Sequence, residues 1–338
     1  MNDVLFRTDA GAHHGFGHLA RCLRLMSHIR GSRPNTVAIF QGAFDKRGRS
    51  LIAAEAPWAG IAGPDELVGA KLAVIDRLAD PEDAESWDDT LAAELVGGCS
   101  QVVAILSGRT DPVCHPLIRR IGYQPGGPAE APPLRLWGFR FAPGLTATRS
   151  PLVESSSSKG RKHLLIAFGG GASERSFDLV LEALPHVDAI GSADILLSPI
   201  VGGRDGPSAT TAGQALCWHW GSSNVQGLIE GSDLVLASFG NLAYEALSLG
   251  RPVCYLNQKR FQAELAKEMT RIGLGVSAGD AADATSDALA EALRQTLGSR
   301  KGAKPAVPAP DGRGLERIGG ILCEMLDSLG GVPCASSA

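Results

Sequence analysis

The sequence predicts two α/β domains, each a doubly wound parallel sheet. Two observations carry that reading. Short apolar runs alternate with runs of helical period from one end of the chain to the other, and they are continuous rather than alternating, as strands covered on both faces should be. The alternation also restarts after a polar stretch, Ser155-Ser156-Ser157-Ser158-Lys159-Gly160, whose serines bury too little to offset the cost of ordering. At 338 residues the chain is long enough for two cores. The expected division is a first domain at 1–154, a linker at 155–162, a second domain at 163–330 and a tail at 331–338.

In the first half the buried strands are read at Val4–Phe6, Val37–Phe40, Leu72–Ile75 and Val102–Leu106. Between the first two, Leu19, Cys22, Leu23 and Met26 form an apolar stripe at helical spacing, with His18 and Arg21 on another face and Gly31 as a stop. A Pro/Gly-rich stretch at 124–133 precedes the apolar run 134–141. In the second half, His163–Phe168 reads as a strand and Gly169-Gly170-Gly171-Ala172-Ser173 as a turn. A helix follows, capped by Ser173 or, less favourably, Ser176. Further strands are read at Ile195–Leu197, Leu234–Ala237 and Val253–Leu256. Helices are read at Leu242–Leu249, Phe261–Ile272, Ser286–Leu297 and Leu315–Leu329. No internal repeat of 20–50 residues is visible.

Composition narrows the function. A net charge of −4 argues against a nucleic-acid partner, since phosphate-backbone binders carry a basic face. No apolar run approaches the roughly 20 residues that span a bilayer, and no leader pattern precedes the first strand. The seven cysteines are odd in number and scattered without a CxxC pair, so neither a disulfide framework nor a structural zinc site is expected. Cytoplasmic residence is the expectation. His13 and His14 have no histidine at i+3 or i+4, and no metal is expected there.

The most informative stretch is Gly15-Phe16-Gly17-His18-Leu19-Ala20-Arg21-Cys22, on a strand-to-helix turn. Gly17 allows a ligand close to the backbone, free N–H groups at the helix start suit a diphosphate, and His18 can exchange a proton near neutral pH. By itself GxGH is a common pattern. Asp76, directly after the strand Leu72–Ile75, is in place to position His18, to bind a sugar hydroxyl or to cap the next segment. The glycines Gly169, Gly170 and Gly171 either cradle a phosphate or only permit a tight turn, and they match neither a P-loop nor a dinucleotide fingerprint. In Ala237-Ser238-Phe239-Gly240-Asn241-Leu242-Ala243-Tyr244-Glu245, small polar residues stand at a helix start, and Glu245 lies one turn after Asn241. A carboxylate there can accept bonds from ribose hydroxyls, although by spacing alone an ordinary solvated glutamate is the better reading. Asn257 and Gln258 follow a strand as sugar-binding amides or as turn residues. His219, between two tryptophans, belongs to a base-binding wall or to packing. Ligands of such sheets bind beyond the carboxyl ends of the strands, where the turns at 12–18, 169–173 and 238–241 fall, so a ligand between the domains would touch all three.

Taken together, GFGHLARCLRLM at 15–26, VIDR at 74–77, RLWGFRFAP at 135–143, LLIAFGGGAS at 164–173 and SDLVLASFGNLAYEALSLGRPVCYL at 232–256 with Asn257-Gln258 resemble one family. It is the PseG/SpsG group of UDP-sugar hydrolases of pseudaminic acid biosynthesis, relatives of the MurG-type GT-B glycosyltransferases. The resemblance implies a GT-B-like fold of two Rossmann-like domains with an inter-domain cleft, and UDP held mainly by the second. It implies cleavage of the anomeric C–O bond of UDP-2,4-diacetamido-2,4,6-trideoxy-β-L-altropyranose with inversion, without metal or cofactor. His18 would be the general base. Substrate contacts would come from Gly17, Arg21, Asp76, Gly169, Gly170, Gly171, Ser238, Gly240, Asn241, Glu245, Asn257 and Gln258. Three places depart from the family: on the sugar side, Arg77-Leu78 stands for its usual His-Tyr pair and Leu106-Ser107-Gly108 for a region with an Asp-Asp pair, and in the second domain Ser238-Phe239-Gly240-Asn241 stands for a run of small Ser/Gly/Thr residues. A glycosyltransferase with a UDP-sugar donor, or a sugar-nucleotide binding module, is the alternative reading.

Overall fold

The computed structural model describes residues 2–11, 14–77, 95–106, 117–125, 135–146, 160–169, 173–197, 214–220, 224–298 and 305–330. The chain forms two compact units, residues 1–141 with 314–338, and residues 142–313.

The first unit carries a seven-stranded sheet, β1 (Asn2–Arg7), β2 (Ala38–Gln41), β3 (Gly60–Ala62), β4 (Ala70–Ile75), β5 (Cys99–Leu106), β6 (Ile118–Gly122) and β7 (Arg135–Trp137). Their spatial order is β3-β2-β1-β4-β5-β6-β7, and every pairing is parallel. The four apolar runs expected as strands are there and largely buried, although Val37 lies just before β2 and is 50% exposed. The order reverses between β1 and β4, and the turns after those two strands hold the candidate site of this unit. Helix α1 (Gly17–Ser32) buries Leu19, Cys22, Leu23, Met26 and Ile29, as its spacing predicts. It runs through Gly31, and the Arg33 N–H closes it on Ile29 O at 2.8 Å. Helix α2 (Lys46–Glu55) starts on Asp45, whose carboxylate accepts from Gly48 N–H at 2.8 Å.

The second unit repeats the plan with six strands, β8 (Lys162–Ala167), β9 (Ile190–Leu197), β10 (Ala215–Trp220), β11 (Leu234–Ala237), β12 (Val253–Asn257) and β13 (Val276–Asp280), in the order β10-β9-β8-β11-β12-β13, all parallel. Its switch point lies between β8 and β11. Helix α3 (Glu174–Ala183) is capped by Ser173, whose side chain accepts from Ser176 N–H at 3.3 Å. Helices α4 (Val225–Gly231), α5 (Asn241–Ser248), α6 (Arg260–Arg271) and α7 (Ser286–Gly298) follow. The apolar faces of α3 and α7 close one core with Leu164, Ile166, Leu234, Leu236, Cys254 and Leu256.

The division of the chain differs from the expected 154/155 and 330/331 boundaries in two ways. Residues 142–146 already belong to the second unit: Leu145 N–H donates to Ser248 Oγ at 2.9 Å and Gln226 Nε2 to Thr146 O at 3.1 Å. The last helix, α8 (Gly314–Gly330), returns to the first unit. Its stripe of Leu315, Ile318, Leu322, Met325 and Leu326 is buried, and it packs on α1, where Gly319 lies against the His28 ring. Arg33 pairs with Asp327, and Arg317 Nη1 donates to Arg140 O at 2.9 Å. Sequence order alone does not reveal such a return, because the α8 stripe fits either sheet. The serines at 155–158 and the tail at 331–338 lie outside the described residues.

Gly42, after β2, holds the end of β1 in place. A Cβ there would stand 1.7 Å from Thr8 O and 2.8 Å from Asp9 Oδ1. Gly42→Ala is therefore expected to destabilise the protein by about 3 kcal/mol, through backbone displacement beside the site. A urea melt measures this, and a change under about 1 kcal/mol would contradict the placement.

Candidate functional site

The candidate site of the first unit is built around one buried carboxylate. Asp76 follows β4 at the switch point and is wholly buried. Arg21, one turn into α1, grips both of its oxygens: Nε donates to Oδ2 at 2.5 Å and Nη2 donates to Oδ1. His18 Nδ1–H donates to Oδ1 at 2.8 Å, and the Cys22 thiol lies 3.7 Å from Oδ2. His18, Arg21 and Cys22 reach one partner because residues three and four apart share a helix side. Gly15, in the left-handed region at φ 70°, closes a tight loop with Gly11 and delivers the chain into Gly17 and His18.

Burial alone would raise the Asp76 carboxyl. The Arg21 charge and its hydrogen bonds, with His18 adding to them, hold it below the ordinary aspartate value instead. Burial would lower Arg21, and Asp76 raises it. Cys22 is pushed well up by burial and then by Asp76, so it stays a thiol. The pair is thus an ion pair, and His18 is its partly exposed third member, with 12% of its side chain open against none of Asp76. With Nδ1–H committed to Asp76, the proton-accepting lone pair lies on Nε2.

Arg21 and Asp76 were expected to touch substrate. Both are buried: the guanidinium is enclosed by Asp76 and Tyr123, and Asp76 in turn meets His18. Tyr123, directly after β6, accepts a bond from Arg21 Nη1, and burial pushes its phenol up to about 12. Sequence reading missed it, since β6 carries two arginines within IRRIG and does not read as a buried strand. Asp9, after β1, was also missed. It receives Arg77 Nε and Ala43 N–H, the latter at 2.8 Å, with Arg7 3.5 Å away. Burial would raise its carboxyl, and Arg77 leads the groups that hold it low.

In the second unit the turns after β8 and β11 flank the switch point. Gly169 takes φ 70°, and the α3 N-terminus follows at Ser173; Gly170 and Gly171 lie outside the described residues. Gln258 reaches across from the end of β12. Its Oε1 accepts from Ser173 N–H at 3.2 Å and from Ser176 Oγ at 2.6 Å. The turn after β11 is fastened from below. Asn257 is wholly buried, accepts from Phe239 N–H at 2.9 Å and donates to Gly279 O at 3.0 Å. Gln262 Nε2 donates to Phe239 O at 3.0 Å, and Ser238 Oγ to Leu256 O at 3.0 Å. Asn257, expected as a substrate contact or a turn residue, has its buried amide bonded to backbone through both Oδ1 and Nδ2. Gly240 precedes α5, with Asn241 and Glu245 half-buried one turn apart on it. His219 stands on edge strand β10, two strands from β8 and paired with Asp194 at 2.9 Å, away from the switch point.

No family model matches this sequence, and no curated protein matches it. Solved structures do match. Over 98% of this chain and 96% of the other, the glycotransferase of kitacinnamycin superposes with TM-score 0.58 at 12% identity. MurG of Acinetobacter baumannii gives TM-score 0.61 at 11% identity, over 95% of this chain and 99% of that one. The spinosyn rhamnosyltransferase SpnG, solved with thymidine diphosphate, gives 0.54 at 14% identity, over 96% of each chain. The chain has the GT-B fold that these glycosyltransferases share. No helix among the described residues is long and apolar enough to cross a membrane.

Removing Asp76 leaves the Arg21 charge buried and unpaired. Asp76→Ala is expected to cost about 3–5 kcal/mol in a denaturant melt. Asp76 and Asp9 titrate below the roughly 3.9 of an unfolded aspartate, so their stabilisation is complete above that pH and is lost as pH falls through their lowered folded values. Between about pH 5 and pH 2, Asp76→Asn should show a shallower loss of stability than the parent. Parallel slopes would refute the ionised assignment.

Proposed function

We propose that this protein is a UDP-sugar-dependent glycosyl-transferring enzyme in which His18 is the general base. The observation that carries the reading is the His18–Asp76 pair at the switch point of the first sheet, where ligands of doubly wound sheets bind. In the second unit, Gly169 and Ser173 with the turn Ser238–Asn241 are the proposed diphosphate contacts, Gln258 holding Ser173; in the first unit Gly17 is a proposed backbone contact beside His18. Glu245 is the proposed ribose ligand. Among the neighbours in fold, one is named a glycotransferase and another a rhamnosyltransferase solved with thymidine diphosphate, which supports a nucleoside diphosphate as leaving group.

In the proposed reaction an acceptor hydroxyl gives its proton to His18 Nε2 while its oxygen bonds to the anomeric carbon. The C–O bond to the diphosphate breaks, and the electron pair leaves with UDP. Attack from the opposite face inverts the anomeric centre. Asp76 keeps the ring in the tautomer that presents Nε2. Backbone N–H groups at helix starts would stabilise the departing diphosphate.

The fold neighbours favour a sugar or natural-product hydroxyl as acceptor. A second reading has water in that role, as in hydrolysis of a UDP-diacetamido-trideoxy sugar, and the GFGHLARC element supports it. Arg77, bound to Asp9 where that family has a histidine, argues for a different sugar.

Two measurements test this. His18→Asn should lower turnover by about 10²–10⁴-fold while UDP affinity, by calorimetry, stays within about threefold of the parent. Full activity in that variant would end the base assignment. A panel of UDP-sugars followed by NMR, with and without acceptor alcohols, separates the two readings. UDP release that needs an acceptor supports transfer, and prompt release without one supports hydrolysis.

A further inference from the structure

The second unit carries a cluster of ligating side chains that the proposed reaction does not use. Cys217 and His219 lie two residues apart on edge strand β10, so they share one face of the sheet. Cys217 pairs in register with Asp194 of β9, which puts the aspartate on that same face. The ligand atoms of Cys217, His219 and Asp194 all lie within 4.8 Å of one another. His163 of β8 supports the group from behind. It is in register with Ser192, two residues before Asp194. Its Nδ1 lies 2.7 Å from Ser192 Oγ, and its Nε2–H donates to Asp194 Oδ2 at 2.9 Å. That leaves Asp194 Oδ1 turned toward His219 Nε2, also at 2.9 Å.

We propose that Cys217, His219 and Asp194 form a binding site for a tetrahedral divalent transition ion of the zinc class. The donor set is one thiolate, one imidazole and one carboxylate, which selects zinc or cobalt over magnesium or calcium, whose sites are built from oxygens. Ligand atoms around such an ion stand roughly 3.3–3.7 Å apart, so the Asp194–His219 separation is within a few tenths of an ångström of the need. Cys217 is exposed and can turn its sulfur inward. The carboxylate is oriented by an imidazole that does not itself bind the ion, the outer-shell arrangement that metal sites rely on. Binding releases the Cys217 thiol proton to solvent, and the His219 proton moves from Nε2 to Nδ1, so the imidazole stays neutral. Water completes the coordination. Such an ion would pin edge strand β10 to β9.

The test uses the untagged, reduced full chain, stripped with chelator and titrated with Co²⁺. One saturable equivalent is expected, with thiolate-to-cobalt charge-transfer absorption and tetrahedral visible bands, both bleached by Zn²⁺. Cys217→Ser should abolish the charge-transfer band. His219→Ala should weaken binding at least about tenfold, and His163→Asn by about 10–100-fold while keeping the band. Circular dichroism verifies that each variant is folded. Absence of saturable binding, or a charge-transfer band that survives Cys217→Ser and so belongs to another cysteine, overturns the proposal.

Discussion

The buried carboxylate of Asp76 is the constraint around which the first unit is arranged. A charge with no solvent contact persists only when it is paired and hydrogen-bonded. Arg21 supplies the pairing through two bonds, and Tyr123 in turn occupies a further guanidinium N–H. Three elements are thereby fixed to one another: the first turns of α1, the end of β4 and the end of β6. His18 inherits its position from that arrangement. Its ring is held by a group that cannot move without exposing an ion pair to an apolar interior.

The second unit solves a related problem with neutral groups. The loop after β11 packs its Phe239 ring against Tyr244 and Tyr255, so the Phe239 peptide is buried and needs polar partners. Asn257 and Gln262 anchor that loop by bonding its Phe239 peptide on both sides. Gln262 also receives the Gln258 and Lys259 N–H groups at 3.2 Å each, which starts α6 and fixes the Gln258 side chain's origin. One glutamine thus couples two turns, and Gln258 extends the coupling to a third at Ser173.

Much of this was legible in the sequence, for a physical reason. Strands buried on both faces must be apolar throughout, so VLF, LAVI, LLIA and LVLA announce themselves. Among the strands that went unread, ALCWHW and VSAGD are sheet edges and IRRIG, paired on both sides, carries two arginines, so in each polar or small residues break the apolar run. The same limit applied to the site. His18 and the turn glycines carry local signatures. Whether a polar side chain points inward does not show locally: Arg21 and His18, three apart, look like one polar face, yet Arg21 is drawn under the helix by an aspartate 55 residues away. Asn257 is a similar case, because an amide after a strand looks the same whether it faces a ligand or a peptide.

The Arg21–Asp76 pairing also defines what His18 gains from its partner. A lone buried aspartate would offer the ring a full negative charge. Here most of that charge is matched by a guanidinium held on both carboxylate oxygens, so the contribution of Asp76 is chiefly direction: a fixed tautomer and a fixed ring plane. Direction is what a base needs when the other bond to be broken already ends on a good leaving group. A nucleoside diphosphate departs with little acid assistance, so the demanding part of the step is aligning one lone pair with one acceptor O–H behind the anomeric carbon. A rigid, charge-matched support for a single partly exposed imidazole is suited to that demand. It also explains why a helix that could have been capped by a small side chain instead begins with Gly17 and His18, with Arg21 and Cys22 one turn on, beneath the ring.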